Sequence, residues 1–286
     1  MASMRDIQRR KNSIQSTEQI TKAMKLVATV KLQKARTHAE QAKPYFDHMY
    51  ATVKSILARS SNVSHKYLKA GDNPKKAVIV ITANRGLAGG YNNNITKLLT
   101  KDSEFSKDKV VTYVIGTKGR DILVRNGYQV KGDYSDVVNE PLYRDSMEIC
   151  EDILEAFENN EFGEVYLAYT RFKNTVVHVP TMLKLLPVSA EDENLQGIEK
   201  LTLMNYEPNE EEALDAIVPK YMTSLIYGAL IEAVASENGA RMQAMDSATS
   251  NADEMIENLS LLYNRARQSS ITQELTEIIA GADAIS

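Results

Sequence analysis

The first 43 residues contain neither proline nor glycine, and no proline follows Pro219. These two residue types are the main interrupters of helices, one through its missing N–H and the other through its excess backbone freedom. The absence of both at the first end, and of proline at the far end, predicts a long helix at each. At the first end, Ala28, Leu32, Ala35, Ala39, Ala42, Phe46, Met49, Val53 and Ile56 alternate four- and three-residue steps, the a/d stripe of a coiled coil. Upstream, Ile20, Met24 and Val27 keep that spacing one residue out of phase, which predicts a shift of the seam near Val27 and Ala28. A helix over residues 3–58 would be on the order of 80 Å long at ~1.5 Å per residue. Pro44 deletes one of its hydrogen bonds and is the expected place for a kink.

The far end repeats the pattern. Met245, Ala248, Ala252, Met255, Leu259, Leu262 and Ala266 step by three and four, and after a skip Ile271, Leu275, Ile278, Ala282 and Ile285 resume it. The approach to this seam is rich in alanine (Ala229, Ala233, Ala235, Ala240, Ala244), which lets a partner helix come close. An antiparallel pair made from the chain's own ends is the simplest arrangement. Gly228, Gly239 and Gly281 mark places for bending or close packing.

Between the two rods the period changes. Lys76–Thr82 and Lys109–Ile115 are short apolar runs that end in glycine-bearing loops, followed by helical stretches at Asn94–Thr100 and Lys118–Arg125. Strand, loop, helix, repeated, is the grammar of an α/β domain. Pro141–Asn159 reads as an amphipathic helix, and Glu164–Thr170 and Val176–Val179 as further strands. The expected fold is therefore α/β: a long antiparallel coiled coil of the N- and C-terminal helices plus a small Rossmann-like domain. Its parts are a helix over 1–60, an α/β domain over 75–190, an acidic connector over 191–212 and a helix over 213–286.

Charge is divided along the chain. Residues 1–36 hold nine Lys or Arg against Asp6 and Glu18, whereas residues 133–161 hold ten acids against Arg144. A basic start suits nucleic acid, an anionic lipid surface or an acidic protein face. It lacks the interleaved aromatics that stack single strands. No apolar run approaches the roughly 18 residues of a membrane span, and charge rather than an apolar stretch follows Met4, so a soluble chain without an export signal is expected. Cys150 is the single cysteine, which excludes an internal disulfide and a thiolate zinc site.

Candidate chemistry is sparse. Asn84–Asn94 (NRGLAGGYNNN) lies between a strand and a helix, where glycine loops cradle phosphates, but it has neither phosphate-binding glycine spacing. The same glycines serve equally as a tight turn with close helix-to-strand approach. His178 sits alone on a strand, no metal-ligand spacing occurs, and acidic pairs such as Glu151 and Asp152 read as solvated faces. The richest constellation is Arg265, Arg267, Gln268, Thr272 and Glu274 on the last helix, which is either a face for directed hydrogen bonds or a solvated rod surface.

At these residues the chain resembles a known family. Gln19–Ala28 (QITKAMKLVA), Asn84–Gly90 (NRGLAGG), Ser236–Thr249 (SENGARMQAMDSAT) and Tyr263–Ala282 (YNRARQSSITQELTEIIAGA) are similar to gamma subunits of bacterial F-type ATP synthase. The resemblance runs from end to end. It departs in the glycine loop, where Asp and Cys are usual and this chain has Asn84 and Ala88. It implies a rotor shaft that is not catalytic alone and needs no cofactor or metal. The implied partners are a ring of alpha and beta subunits, the epsilon subunit and the c-ring, with membrane contact only through that ring and no nucleic acid. The implied location is the cytoplasmic face of the cell membrane. Carried residue by residue, Met24 and Lys25 would meet the acidic lever loop of beta and Arg241 would lie on the same coupling surface, while Arg267, Gln268, Thr272 and Glu274 would meet its catch loop. One cysteine cannot form the regulatory dithiol of some plant-type relatives. Two other readings remain beside it: a coiled-coil nucleic-acid or scaffold protein, and a nucleotide-binding α/β enzyme.

Overall fold

A computed structural model describes residues 3–57, 65–188 and 209–283. The elements are α1 (Met4–Leu57), β1 (Lys76–Ile81), α2 (Tyr91–Thr100), β2 (Val110–Ile115), α3 (Thr117–Arg125), β3 (Gln129–Asp133), α4 (Tyr143–Glu158), β4 (Glu164–Phe172), β5 (His178–Leu186) and α5 (Glu210–Asp283). They fall into two compact units, one of residues 1–28 with 242–286 and one of residues 29–241. Most of the expected connector, and the expected seam position Ile285, lie outside the described residues.

In the larger unit the strands form one sheet in the order β3-β2-β1-β4-β5. The first four run parallel and β5 returns antiparallel to β4. Side chains alternate across each strand. On one face Ala77, Ile79 and Ile81 of β1 join Ile149 and Ile153 of α4 and the nearby parts of α1 (Val53, Ile56) and α5 (Leu214, Tyr221) in one core. On the other, Val78 and Val80 pack under Ile95 and Leu99 of α2 and Leu123 of α3. Truncating a side chain such as Ile153 or Leu99, each fully buried, to alanine should cost ~2–5 kcal/mol.

Within this unit α1 and α5 cross ring to ring: Phe46 meets Tyr227 with centroids 6.2 Å apart, and Tyr50 meets Tyr221 at 5.7 Å. As one number rises the other falls, the antiparallel sense. Helix α1 continues unbroken through Pro44, which is exposed. Helix α5 begins at Glu210, where Asn209 Oδ1 accepts the Glu212 amide at 2.9 Å and closes the first turn. Glu210, Glu211 and Glu212 thus sit at the positive end of a helix dipole rather than in a connector.

Two features of the sheet were not readable from apolar pattern. β3 is an edge strand, QVKGD, with no apolar run, and Gly132 is required there because a Cβ would come 2.8 Å from Tyr113 Cδ1. The close helix-to-strand approach expected of the first glycine loop occurs in the second. A Cβ on Gly116, at φ +111°, would lie 2.3 Å from Thr82 O, and one on Gly119 would lie 2.4 Å from Thr82 Oγ1.

In the smaller unit the two helices also pair antiparallel. Thr21 and Thr249 share a hydrogen bond of 2.8 Å and Lys25 Nζ lies 2.5 Å from Asp246 Oδ1. The least exposed line on α1 runs through Ile14, Glu18, Thr21, Lys25 and Ala28, with Thr21 and Ala28 buried and the others partly so, without the expected phase shift. Ile20 and Val27, assigned to the seam by apolarity, are 60% and 59% exposed. The reason is chemical: the seam here is closed by a threonine pair and an ion pair, so hydropathy points to the wrong face. On α5, similarly, Ile256 and Tyr263 take seam places expected for Met255 and Leu262, both about half exposed.

Candidate coupling surface

The antiparallel register sets how far the helices cover each other. With Thr21 opposite Thr249, stepping 17 residues along each helix brings Met4 opposite about Ala266. Every described side chain from Ile271 onward is exposed. The stripe Ile271, Leu275 and Ile278, expected to continue the seam, is therefore bare at 48%, 55% and 67% exposure.

The predicted residues Arg267, Gln268, Thr272 and Glu274 all lie around this uncovered stretch, and all four are exposed. Helical spacing sorts them into two neighbouring lines, Arg267-Ile271-Glu274-Ile278 and Gln268-Thr272-Leu275-Ile279. Each line mixes directed polar groups with bare apolar ones. Thr272 Oγ1 donates to the backbone carbonyl of Gln268 at 2.9 Å, and both side chains are exposed. Met24 and Lys25 are half-buried on α1. They lie more than 20 residues along the helix pair from Arg267, about 30 Å at 1.5 Å per residue, so the structure shows two separate sets rather than one cluster.

Arg241 belongs to the larger unit and is not a free contact. Its guanidinium is 2.7 Å from Glu237 Oε1, with both side chains 12% exposed, and its Nη2 donates to Gly86 O at 3.4 Å. The acid partner one helical turn earlier was readable in the sequence as an i, i+4 pair, whereas the carbonyl of Gly86 was not.

The glycine loop does structural work through its polar side chains. Asn84 Nδ2 donates to Ser135 O at 2.7 Å, and Asn84 Oδ1 accepts the Thr117 amide at 2.9 Å, satisfying the first turn of α3. Asn92 Oδ1 accepts the Ala83 amide at 2.8 Å. Leu87 and Gly89 take positive φ, 60° and 57°, as a tight turn requires. The hollow beside Gly89 is about 200 Å³, lined by Asn92, Asn93, Lys118, Asp121 and Arg125. That is below the ~300–1,000 Å³ of small-molecule pockets. His178 packs its ring on Gly239, and its pKa is lowered by burial. Among the described residues no group of His, Cys, Asp and Glu is arranged to hold a metal, and no helix is long and apolar enough to cross a membrane.

Comparison with known proteins decides what kind of chain carries these surfaces. A family model described as ATP synthase matches residues 3–285. The ATP synthase gamma chain of Lachnoclostridium phytofermentans is 65% identical over the full length of both chains. This chain belongs to the ATP synthase gamma family. The sodium-ion-specific gamma chain of Acetobacterium woodii is 41% identical, over 99% of this chain and 98% of its own. Among solved structures, a chain of the Euglena gracilis mitochondrial ATP synthase matches 99% of this chain and 94% of its own with a TM-score of 0.69 at 17% identity. One from the central stalk and c-ring of the Tetrahymena thermophila enzyme covers 80% of this gamma chain and 99% of its own, with a TM-score of 0.60 at 23% identity. The two distant structures share the fold: long terminal helices and a mixed sheet between them.

Proposed function

We propose that this chain is the central-stalk rotor of an F-type ATP synthase, turned by ion flow through a c-ring and driving the beta subunits of an alpha/beta hexamer through their catalytic states. Gamma chains are non-catalytic; the chemistry belongs to beta. The observation that carries the reading is the uncovered end of α5, where Ile271, Leu275, Ile278 and Ile279 stand bare beside Arg267, Gln268, Thr272 and Glu274. Exposed apolar side chains in such number ask for a partner surface, and the four polar groups give that partner directed hydrogen bonds.

In this reading Met24 and Lys25 meet the acidic lever loop of beta, Arg267, Gln268, Thr272 and Glu274 meet its catch loop, and Arg241 acts beside the glycine loop. The basic N-terminal stretch suits an acidic protein face. The parts 1–60 and 75–190 serve as shaft helix and foot domain, and a connector from 191 leads to the second shaft helix, which begins at Glu210 rather than at the expected 213. The foot rests on epsilon and the c-ring at the cytoplasmic face of the membrane, with association peripheral. An asymmetric shaft works because each orientation favours a different beta conformation, so rotation shifts three equilibria in turn.

The test is reconstitution. Mixed with alpha and beta subunits of a close relative, the chain should co-elute with them and raise their ATP hydrolysis. If it elutes alone and leaves the activity unchanged, the rotor reading is wrong.

A further inference from the structure

A short stretch of α5, Glu232–Arg241, bonds to the C-terminal end of β4 and to the loop and helix start that follow β1. Ser236 Oγ donates to Thr170 O of β4 at 3.0 Å, and the Phe172 amide donates to Glu232 Oε2 at 3.3 Å. Beyond β1, Gly86 O in the loop accepts from Arg241 at 3.4 Å, and the hydroxyl of Tyr91, the first residue of α2, donates to Ala233 O at 3.2 Å. Glu237 holds Arg241 in place at 2.7 Å. The contact is dry: Ser236, Ala233 and Tyr91 are 0%, 3% and 5% exposed. Small residues let the helix sit this close, and Gly239 has no room for a Cβ, which would fall 2.5 Å from His178 Nε2.

The place matters. In a sheet of order 3-2-1-4-5, the direction of winding reverses between β1 and β4, and the crevice outside their C-terminal ends is where open α/β folds bind ligands. Here the bonds from α5 go to both banks of that crevice.

We infer that the crevice is a clamp, closed by the chain's own helix, that fixes this stretch of α5 to the sheet so that the two move as one body, with Arg241 and Glu237 as positioning residues. The site that holds a small molecule in other folds of this topology holds the helix that carries torque. Arg241 thereby acts through the Gly86 loop, from within the chain. This rests on the rotor reading only for the consequence of the clamp; the clamp itself is a property of the single chain.

The two parts are tested separately. In hydrogen exchange on the full chain alone, Glu237→Gln together with Tyr91→Phe should speed exchange about tenfold in residues 84–90 and at Phe172 while leaving β2 unchanged. Unchanged exchange there overturns the clamp, whatever the assembled complex does. In the assembled complex, the same variant should lower ions moved per ATP hydrolysed several-fold while the complex stays intact. Arg241→Lys, which keeps a cationic donor for Gly86 O, should retain more of that ratio than Arg241→Gln, and equal losses in the two would overturn the positioning role of Arg241. Faster exchange with an undiminished ratio would overturn the torque-carrying role while leaving the rotor reading standing.

Discussion

Lys25 and Asp246 face each other across the helix pair at 2.5 Å, about one helical turn from the threonine pair Thr21 and Thr249. Together they fix the register that leaves the end of α5 uncovered. Both charged side chains are more than a third exposed, so the ion pair itself is worth no more than about 1 kcal/mol. Asp246→Asn should therefore change the melting temperature little. Lys25→Gln, which removes the charge proposed to meet beta, should lower ATP-driven ion pumping in the assembled complex with the same small stability change. A large thermal shift for either variant would mean that the pair is mainly structural.

Helical glycines make a matched comparison. A Cβ on Gly228 would make ordinary contact with Phe46 at 3.6 Å, so Gly228→Ala should gain up to about 1 kcal/mol from helix propensity. Gly239→Ala has the same propensity gain but drives its Cβ into the His178 ring. It should destabilise the chain. Thermal melts of the two variants should move in opposite directions.

Acid stability should depend on Glu158. Hydrogen bonds from Lys66, at 2.9 Å, and from Tyr67, at 2.8 Å, hold its carboxyl below the ordinary value of 4.5. A carboxyl whose folded pKa is depressed adds stability above the unfolded value and loses it as pH falls through the folded one. Glu158→Gln should therefore be less stable than the parent at neutral pH, and the difference should shrink below about pH 4.5, as denaturant melts across that range will show.

Cys150 is buried against α5, its Sγ donating to Pro219 O at 3.6 Å, and burial pushes its pKa up to about 11. Alkylation at pH 8 should be about two orders of magnitude slower in the folded chain than in denaturant, from loss of thiolate alone. Equal rates would show that α4 and α5 part readily.

Much of this architecture was legible because it rests on periodicity. The glycine- and proline-poor ends, the apolar runs of β1 and β2 and the amphipathic α4 all announce themselves by spacing. What stayed hidden depends on partners distant in sequence. Ile20 and Val27 read as seam because hydropathy cannot see that Thr21 pairs with Thr249. Ile271, Leu275 and Ile278 read as seam because spacing does not say where the partner helix ends. β3 has no apolar signal, since an edge strand buries little. The polar candidates on α5 were found through their motif; that bare isoleucines and a leucine surround them needed the register.

The central claim is that this chain turns. With alpha and beta subunits fixed to a surface and a bead attached at Arg125→Cys, exposed on α3 while Cys150 stays buried, adding ATP should produce one-directional stepwise rotation. A bead that shows only random rotational motion on an assembly hydrolysing ATP would contradict the account.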